Sequence, residues 1–289
     1  MQEEDVHSVL GPTPDPAFNF SRAKMRPASS IYRGPQDSMY KYEPIFVSAF
    51  IDIGSAVKSP EYRIGQFKHL ADSGMQIHLF LSKSFEAHYD SIIGPRPNIT
   101  VETIELEDLE TYKELSDVAY TIPPSNNPQK DTAAYHIVQN AKIEFVERAS
   151  LFHRSSHFAW IDFNICQMFR TIPETIAYLR NNMEARPGLY MPGCWPKGYG
   201  QDSLFQTISW RFCGSFFVGD TESIHALYMV YRSLFKRIVA MSTVLTWEVN
   251  MWHYMEIHGH FQPIWYPADH TDSIVRAFQA DESPSLPLI

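Results

Sequence analysis

The segment Trp160-Ile161-Asp162-Phe163-Asn164 carries the strongest chemical signal in the chain. An apolar run that ends in Asp-x-Asn sets two oxygen-bearing side chains at the carboxyl end of a strand, the edge where open α/β sheets bind ligands. Alternation along extended backbone points Asp162 and Asn164 the same way, so both can face one divalent cation or one ribose. Mn²⁺ and Mg²⁺ favour such oxygen donors together with substrate phosphates. A strand-to-loop turn in which the two side chains cap backbone groups accounts for the same residues.

Other residues stand out by position. Lys142 falls on the apolar stripe of a helix, four after Val138 and three before Phe145. A charge there must snorkel at the helix margin, pair, or face a phosphate. Asp52 breaks the end of an apolar strand, where a carboxylate needs a partner. Gly214 and Gly219 flank Ser215-Phe216-Phe217-Val218, and strand glycines either admit close backbone approach to a ligand or mark a bulge. Glu248 opens an aromatic helix, a place the helix dipole alone favours for an acid. His253, His258, His260 and His270 crowd the C-terminal region. They lack an H-E-x-x-H spacing or a neighbouring Cys, so a metal hydrolase built on them is the weaker reading, and most read as surface or core-edge imidazoles.

The elements that must position these groups alternate. Pro44 to Phe50, Met75 to Leu81, Ile99 to Leu106, Phe158 to Ile161, Leu189 to Met191, Phe212 to Val218 and Phe261 to Tyr266 read as short apolar strands. Ile64, Phe67 and Ala71 mark one helix face, and Ala134, Val138, Ala141, Phe145 and Ala149 mark a helix over Thr132 to Ser150. Ile224 through Ile238 forms a third, long amphipathic helix, and Pro123, Pro124 and Pro128 mark a long loop. This alternation predicts an α/β sheet with helices on both faces.

Phe46-Val47-Ser48-Ala49-Phe50-Ile51-Asp52-Ile53-Gly54, the helix around Tyr135 to Ala149, the Phe158 to Asp162 strand and Trp265-Tyr266-Pro267-Ala268-Asp269-His270 together resemble the HtrL/YibB family. The resemblance spans residues 44 to 276. That family is assigned to the nucleotide-sugar glycosyltransferases of the GT-A fold. The resemblance implies a GT-A-like (Rossmann-like) mixed sheet in one domain, and transfer of a hexosyl or pentosyl group from a nucleotide-diphosphate sugar to a glycan or other hydroxyl acceptor, assisted by Mn²⁺ or Mg²⁺. It places Asp162 at the first acid of the family's Asp-x-Asp, with Asn164, an uncharged amide, in place of the second. It makes His270 a third protein ligand to the metal, oriented by Asp269. It offers Phe50 as an apolar platform, Asp52 as an acceptor and Arg63 as a cation for phosphate, with Lys142 facing the phosphate as well. Simple core packing is the alternative for Phe50, and an exposed helix charge for Arg63. Gly214, Ser215 and Trp247 would line the acceptor pocket. Glu248 would act near the anomeric carbon, as general base in an inverting reaction or as stabiliser of an oxocarbenium-like state in a retaining one. Asn164 also admits a second reading, a non-catalytic nucleotide- or sugar-binding protein on a decayed GT-A fold. Intact Asp162, Glu248 and His270 weigh against it.

Composition bounds the rest. The 289 residues include 24 basic and 33 acidic side chains, a net charge of −9 that argues against general binding of nucleic acid. Aromatic residues at 14% argue against disorder and suit a pocket with flat walls. No apolar run reaches the roughly 20 residues a membrane span needs. The acidic start, Met1 to Val9, lacks the basic and apolar regions of a secretory signal, so a cytoplasmic setting is expected. Cys166, Cys194 and Cys213, odd in number and widely spaced, read as reduced thiols in or near the core. Residues 1–41 and 281–289, rich in Pro and Ser, read as a disordered or surface-draped arm and a flexible tail around one domain at 42–280.

Overall fold

The computed structural model describes residues 43–54, 58–92, 94 and 96–278; the expected arm and tail lie outside them. Seven strands form the central sheet: β1 (Ile45–Phe50), β2 (Ile77–Leu81), β3 (Ile99–Thr103), β4 (His157–Ile161), β5 (Leu189–Gly193), β6 (Phe216–Asp220) and β7 (Ile264–Pro267). Their order is β3-β2-β1-β4-β6-β5-β7. The half from β3 to β4 is parallel, β6 runs antiparallel to both β4 and β5, and β5 and β7 are parallel again. This is a single mixed α/β sheet, a Rossmann-like parallel half continued past one reversed strand.

The helices are α1 (Pro60–Ala71), α2 (Tyr89–Ile92), α3 (Glu110–Glu114), α4 (Ala133–Asn140), α5 (Lys142–Phe152), α6 (Ile172–Asn182), α7 (Thr221–Ser242) and α8 (Glu248–Ile257). Alternation along the strands supplies two separate cores, because successive side chains leave a strand on opposite faces. Val47, Phe158, Trp160 and Phe217 pack with Phe145, Phe235 and Trp252 of α5, α7 and α8 on one face. Phe46, Ala159, Ile161 and Phe216 pack with Phe67 of α1 and Leu179 of α6 on the other. Helices therefore cover both faces, as the alternation requires.

Three local departures shape the site. The expected helix over Thr132 to Ser150 is two helices, broken at Ala141. Asn140 causes the break: its Nδ2 donates to the His136 carbonyl at 2.7 Å and to Thr246 O at 2.9 Å, competing with the helix ladder from inside the core. The strand expected from Phe212 starts only at Phe216, because Cys213 N donates to Pro192 O at 2.8 Å and the chain bends there. Helix α6 has no counterpart in the sequence reading. Its start is held by Asp272, whose carboxylate accepts from Arg170 N at 3.0 Å, Thr171 N at 3.2 Å and Thr175 Oγ1 at 2.5 Å. Those bonds prevail over the cost of burial and hold the Asp272 pKa down at about 2.

Among the described residues, no helix is long and apolar enough to cross a membrane.

Candidate functional site

The carboxyl ends of β1 and β4 open into a cleft of about 1040 Å³, at the upper end of ordinary ligand pockets. Ala49, Phe50, Ile51 and Ile53 at the end of β1, Trp160 and Asp162 to Asn164 of β4 and its loop, Gly214 and Ser215 before β6, and Trp247 and Glu248 at the start of α8 share its wall. The loop before β6 is pinned to α8 by Asn250, which accepts from Ser209 N at 2.7 Å and donates to Leu204 O at 2.7 Å.

Lys142 organises the floor. It is 2% exposed, and its ammonium has three neighbours: Glu248 Oε1 at 2.8 Å, Gly214 O at 2.9 Å and Asp162 Oδ1 at 3.1 Å. Burial alone would lower its pKa; the carboxylates of Asp162 and Glu248 outweigh burial and set it above the ordinary lysine value. An ammonium has three N–H donors, so none is left for a phosphate. The expectation of a phosphate-facing or snorkelling Lys142 is thus corrected: this side chain ties the carboxylates of β4 and α8 together.

Asp162 and Glu248 each keep one oxygen available. Asp162 Oδ1 takes both Lys142 and the Trp160 indole N–H, the latter at 2.8 Å, and Oδ2 has no hydrogen bond among the described residues. Glu248 Oε1 takes Lys142, and Oε2 likewise has none. The close approach of Glu248 explains Gly214: a Cβ there would lie 2.0 Å from Glu248 Oε1. The glycine makes room for a neighbouring carboxylate. Ser215 reaches the cleft beside it, and its carbonyl accepts from Asp162 N at 2.9 Å.

The β1 side of the cleft changes two expectations. Phe50 is stacked between Phe85 at 4.0 Å and Phe163 at 4.3 Å, so both ring faces are taken and no platform remains for a base. Core packing describes it. Asp52 stays exposed outside the cleft wall, where its Oδ1 accepts from Gly54 N at 3.0 Å and turns its own loop. Arg63 does line the cleft, half-buried, with its centre 5.9 Å from the Phe50 ring. No carboxylate pairs with it among the described residues, and its Nε is buried without a partner. Burial pulls its pKa below the ordinary guanidinium value. An uncompensated cation in a cleft is a place for an anion.

Several residues of the cleft escaped the sequence reading. Tyr135 sits among Glu248, Asp162 and Asp131; burial first, then those charges, raise its pKa well above the ordinary value and keep the phenol a neutral donor. Lys130 lies 4.7 Å from the Tyr135 ring, and Lys58 holds Gln167; both are on the cleft wall. Trp210 adds a third indole to Trp160 and Trp247. Nothing in local periodicity singles these residues out, because they reach the cleft from loops or from a helix whose other face is core.

For a divalent cation, Oδ2 of Asp162 and the amide oxygen of Asn164 are suitable hard donors on the cleft wall, neither engaged by a hydrogen bond among the described residues. Lys142 offsets the charge of Asp162, and Asn164 adds none. His270 shares the wall, yet its Nδ1 lies 3.9 Å from Cys194 Sγ and 3.6 Å from Asp269 Oδ1, engaged behind the cleft with Cys194. The sequence showed His270 no cysteine neighbour; the fold supplies one. His253 is buried against Ser209 Oγ at 2.8 Å, and His258 and His260 are exposed, as core and surface imidazoles should be.

The chain is similar to Rv0371c from Mycobacterium tuberculosis H37Rv, at 9% sequence identity and a TM-score of 0.41, over 80% of this chain and 90% of that one. It is also similar to a glycosyltransferase involved in the glycosylation of the major capsid of PBCV-1, at 10% identity and a TM-score of 0.36, over 78% of this chain and 81% of that one. No family model matches the chain. No curated protein matches it either.

Proposed function

We propose that this chain is a glycosyltransferase of the HtrL/YibB kind, moving a sugar from a nucleotide-diphosphate donor to a hydroxyl acceptor in the cleft at the ends of β1 and β4. One observation carries the reading: the same cleft holds a guanidinium, Arg63, with no carboxylate partner among the described residues, and a fixed carboxylate, Glu248, with one oxygen that takes no hydrogen bond from them. Transfer of a glycosyl group needs both, a cation to accept the charge growing on the diphosphate and a carboxylate near the anomeric carbon.

In this reading Arg63, Lys58 and Lys130 receive the diphosphate. Asp162 and Asn164 are the residues that would hold Mn²⁺ or Mg²⁺, whose chemistry there is to neutralise the leaving group. Trp210, half-buried on the cleft wall, suits a sugar ring, with Gly214, Ser215 and Trp247 on the acceptor side. Lys142 holds Glu248 in place, so that Oε2 either takes the acceptor proton in an inverting reaction or stabilises the oxocarbenium-like state in a retaining one.

A panel of nucleotide sugars, screened for thermal stabilisation with and without Mn²⁺, identifies the donor by mass action. Glu248→Gln then tests the role of the carboxylate: donor affinity stays within a few-fold while turnover or donor hydrolysis falls roughly 10²-fold or more. Normal turnover by this variant refutes the assignment. A second reading, a binding protein without turnover, draws on the contact between Lys142 and Asp162, which offsets the charge that a cation site needs. Tight donor binding by the native protein with neither transfer nor hydrolysis selects it.

A further inference from the structure

We propose that Cys194, Cys213 and His270 form a binding site for a thiophilic divalent cation, zinc above all, separate from the oxygen donors Asp162 and Asn164. The three side chains come from distant parts of the sequence. Cys194 follows β5 directly, Cys213 precedes β6, and His270 lies just beyond β7. Their donor atoms all lie within 4.8 Å of one another. The two sulfurs are 3.5 Å apart, and Cys194 Sγ is 3.9 Å from His270 Nδ1.

These distances suit a metal. Tetrahedral zinc, with Zn–S near 2.3 Å and Zn–N near 2.0–2.1 Å, sets its donor atoms roughly 3.5–3.8 Å apart. Cys194 stands within a few tenths of an ångström of that spacing from both partners, and Cys213 and His270, within 4.8 Å of each other, close on an ion by roughly 1 Å or less. A disulfide would instead require the sulfurs to approach to about 2.05 Å. Two thiolates cancel the charge of the cation, and binding releases the two thiol protons to solvent as the S–Zn bonds form. Asp269 Oδ1 lies 4.0 Å from Cys194 Sγ and accepts from His270 N at 2.7 Å, so this carboxylate is tied down beside the cluster and leaves the fourth position to solvent. Soft sulfur donors select zinc over Mn²⁺ and Mg²⁺, so the two cation sites would not compete.

The backbone holds the donors in place without a metal. Cys194 N donates to Trp210 O at 2.9 Å, Cys213 N to Pro192 O at 2.8 Å, and Ala268 N to Gly193 O at 2.9 Å. These bonds cross-tie the three segments that carry the donors. They pass so close that a Cβ on Gly193 would fall 1.8 Å from Arg211 O. His270 and Trp210, whose rings meet edge to face at 4.4 Å, both line the cleft. A cation behind them would staple that wall.

The test uses the full chain, reduced and freed of metal with a chelator, then titrated with Co²⁺. The expected result is about one equivalent bound, with thiolate-to-cobalt charge-transfer absorption and the intense visible bands of a tetrahedral ion, displaced by Zn²⁺. Cys194→Ser and Cys213→Ser lose the charge-transfer band, and His270→Ala weakens binding at least 10-fold. Cys166→Ser and Asp162→Ala keep the signal, which separates this site from the oxygen donors and from the glycosyltransferase reading. If the reduced native chain shows no such band, or Cys194→Ser shows it unchanged, the proposal is overturned. A Cys194–Cys213 disulfide in the native protein, with no cobalt uptake after reduction, overturns it equally.

Discussion

The ammonium of Lys142 lies 2.8 Å from Glu248 Oε1, across 106 residues of sequence, and the same nitrogen reaches Asp162 Oδ1 at 3.1 Å. One buried cation thus joins the end of β4 to the start of α8 and fixes two carboxylates on one cleft.

Lys142→Met leaves those carboxylates close together with no counter-charge. A broken buried pair costs about 3–5 kcal/mol, so chemical denaturation of the variant should show a loss of that order. Unchanged stability would mean that the ion pair does not hold the cleft floor.

Gly214→Ala and Gly65→Ala should diverge in sign. The added methyl at 214 meets Glu248 Oε1 at 2.0 Å, whereas at 65, inside α1, nothing lies within 4 Å. The first variant must displace Glu248 or the backbone, at about 1–3 kcal/mol, and should lower turnover as well. The second should gain about 0.5–1 kcal/mol from helix propensity. Thermal melts of the two proteins side by side check both.

Arg63→Gln should lower affinity for a nucleoside diphosphate about 10-fold or more, on the scale of one charged hydrogen bond, while the melting temperature holds within a few degrees. The guanidinium has no carboxylate partner to orphan among the described residues, so the fold loses little. Calorimetric titration with the diphosphate reads the effect, and equal affinity in the two proteins removes Arg63 from the site.

Stability should fall as the pH drops from about 6.5 to about 4. His78 is 1% exposed, and burial first, then neighbouring His153 at 2.9 Å, push its pKa down to about 4. Glu102 at 3.4 Å is partly exposed and screened, and does not offset burial. Between those values the unfolded chain takes up a proton that the folded one refuses, a difference of about 3 kcal/mol once complete. Above pH 6.5 this imidazole is neutral in both states and contributes nothing to the slope. His78→Phe should flatten the slope across that interval in denaturation experiments run at each pH.

Asp272→Asn should cost about 1–3 kcal/mol, because the amide presents N–H groups where the carboxylate accepts from Arg170 N, Thr171 N and Thr175 Oγ1. Hydrogen exchange in the first turn of α6 should rise together with the loss of stability.

What the sequence determined by itself was local. Apolar runs and their periods gave the strands and the faces of α1 and α7, since strand and helix repeats are written in neighbouring residues. The position of Asp162 at the end of β4 and of Glu248 at the start of α8 follows from the same patterns. Tertiary structure decided which of those residues meet. Sheet order places β6 between β4 and β5, and that order brings Gly214 to Glu248 and both to Lys142. It also stacks Phe85 and Phe163 on the two faces of Phe50, leaves Arg63 in the cleft with no carboxylate partner among the described residues, and gathers Cys194, Cys213 and His270. The break at Ala141 belongs to the same class, because the Asn140 amide that makes it also bonds Thr246, far along the chain. Such contacts depend on how whole elements pack, and no short-range period in the chain encodes them.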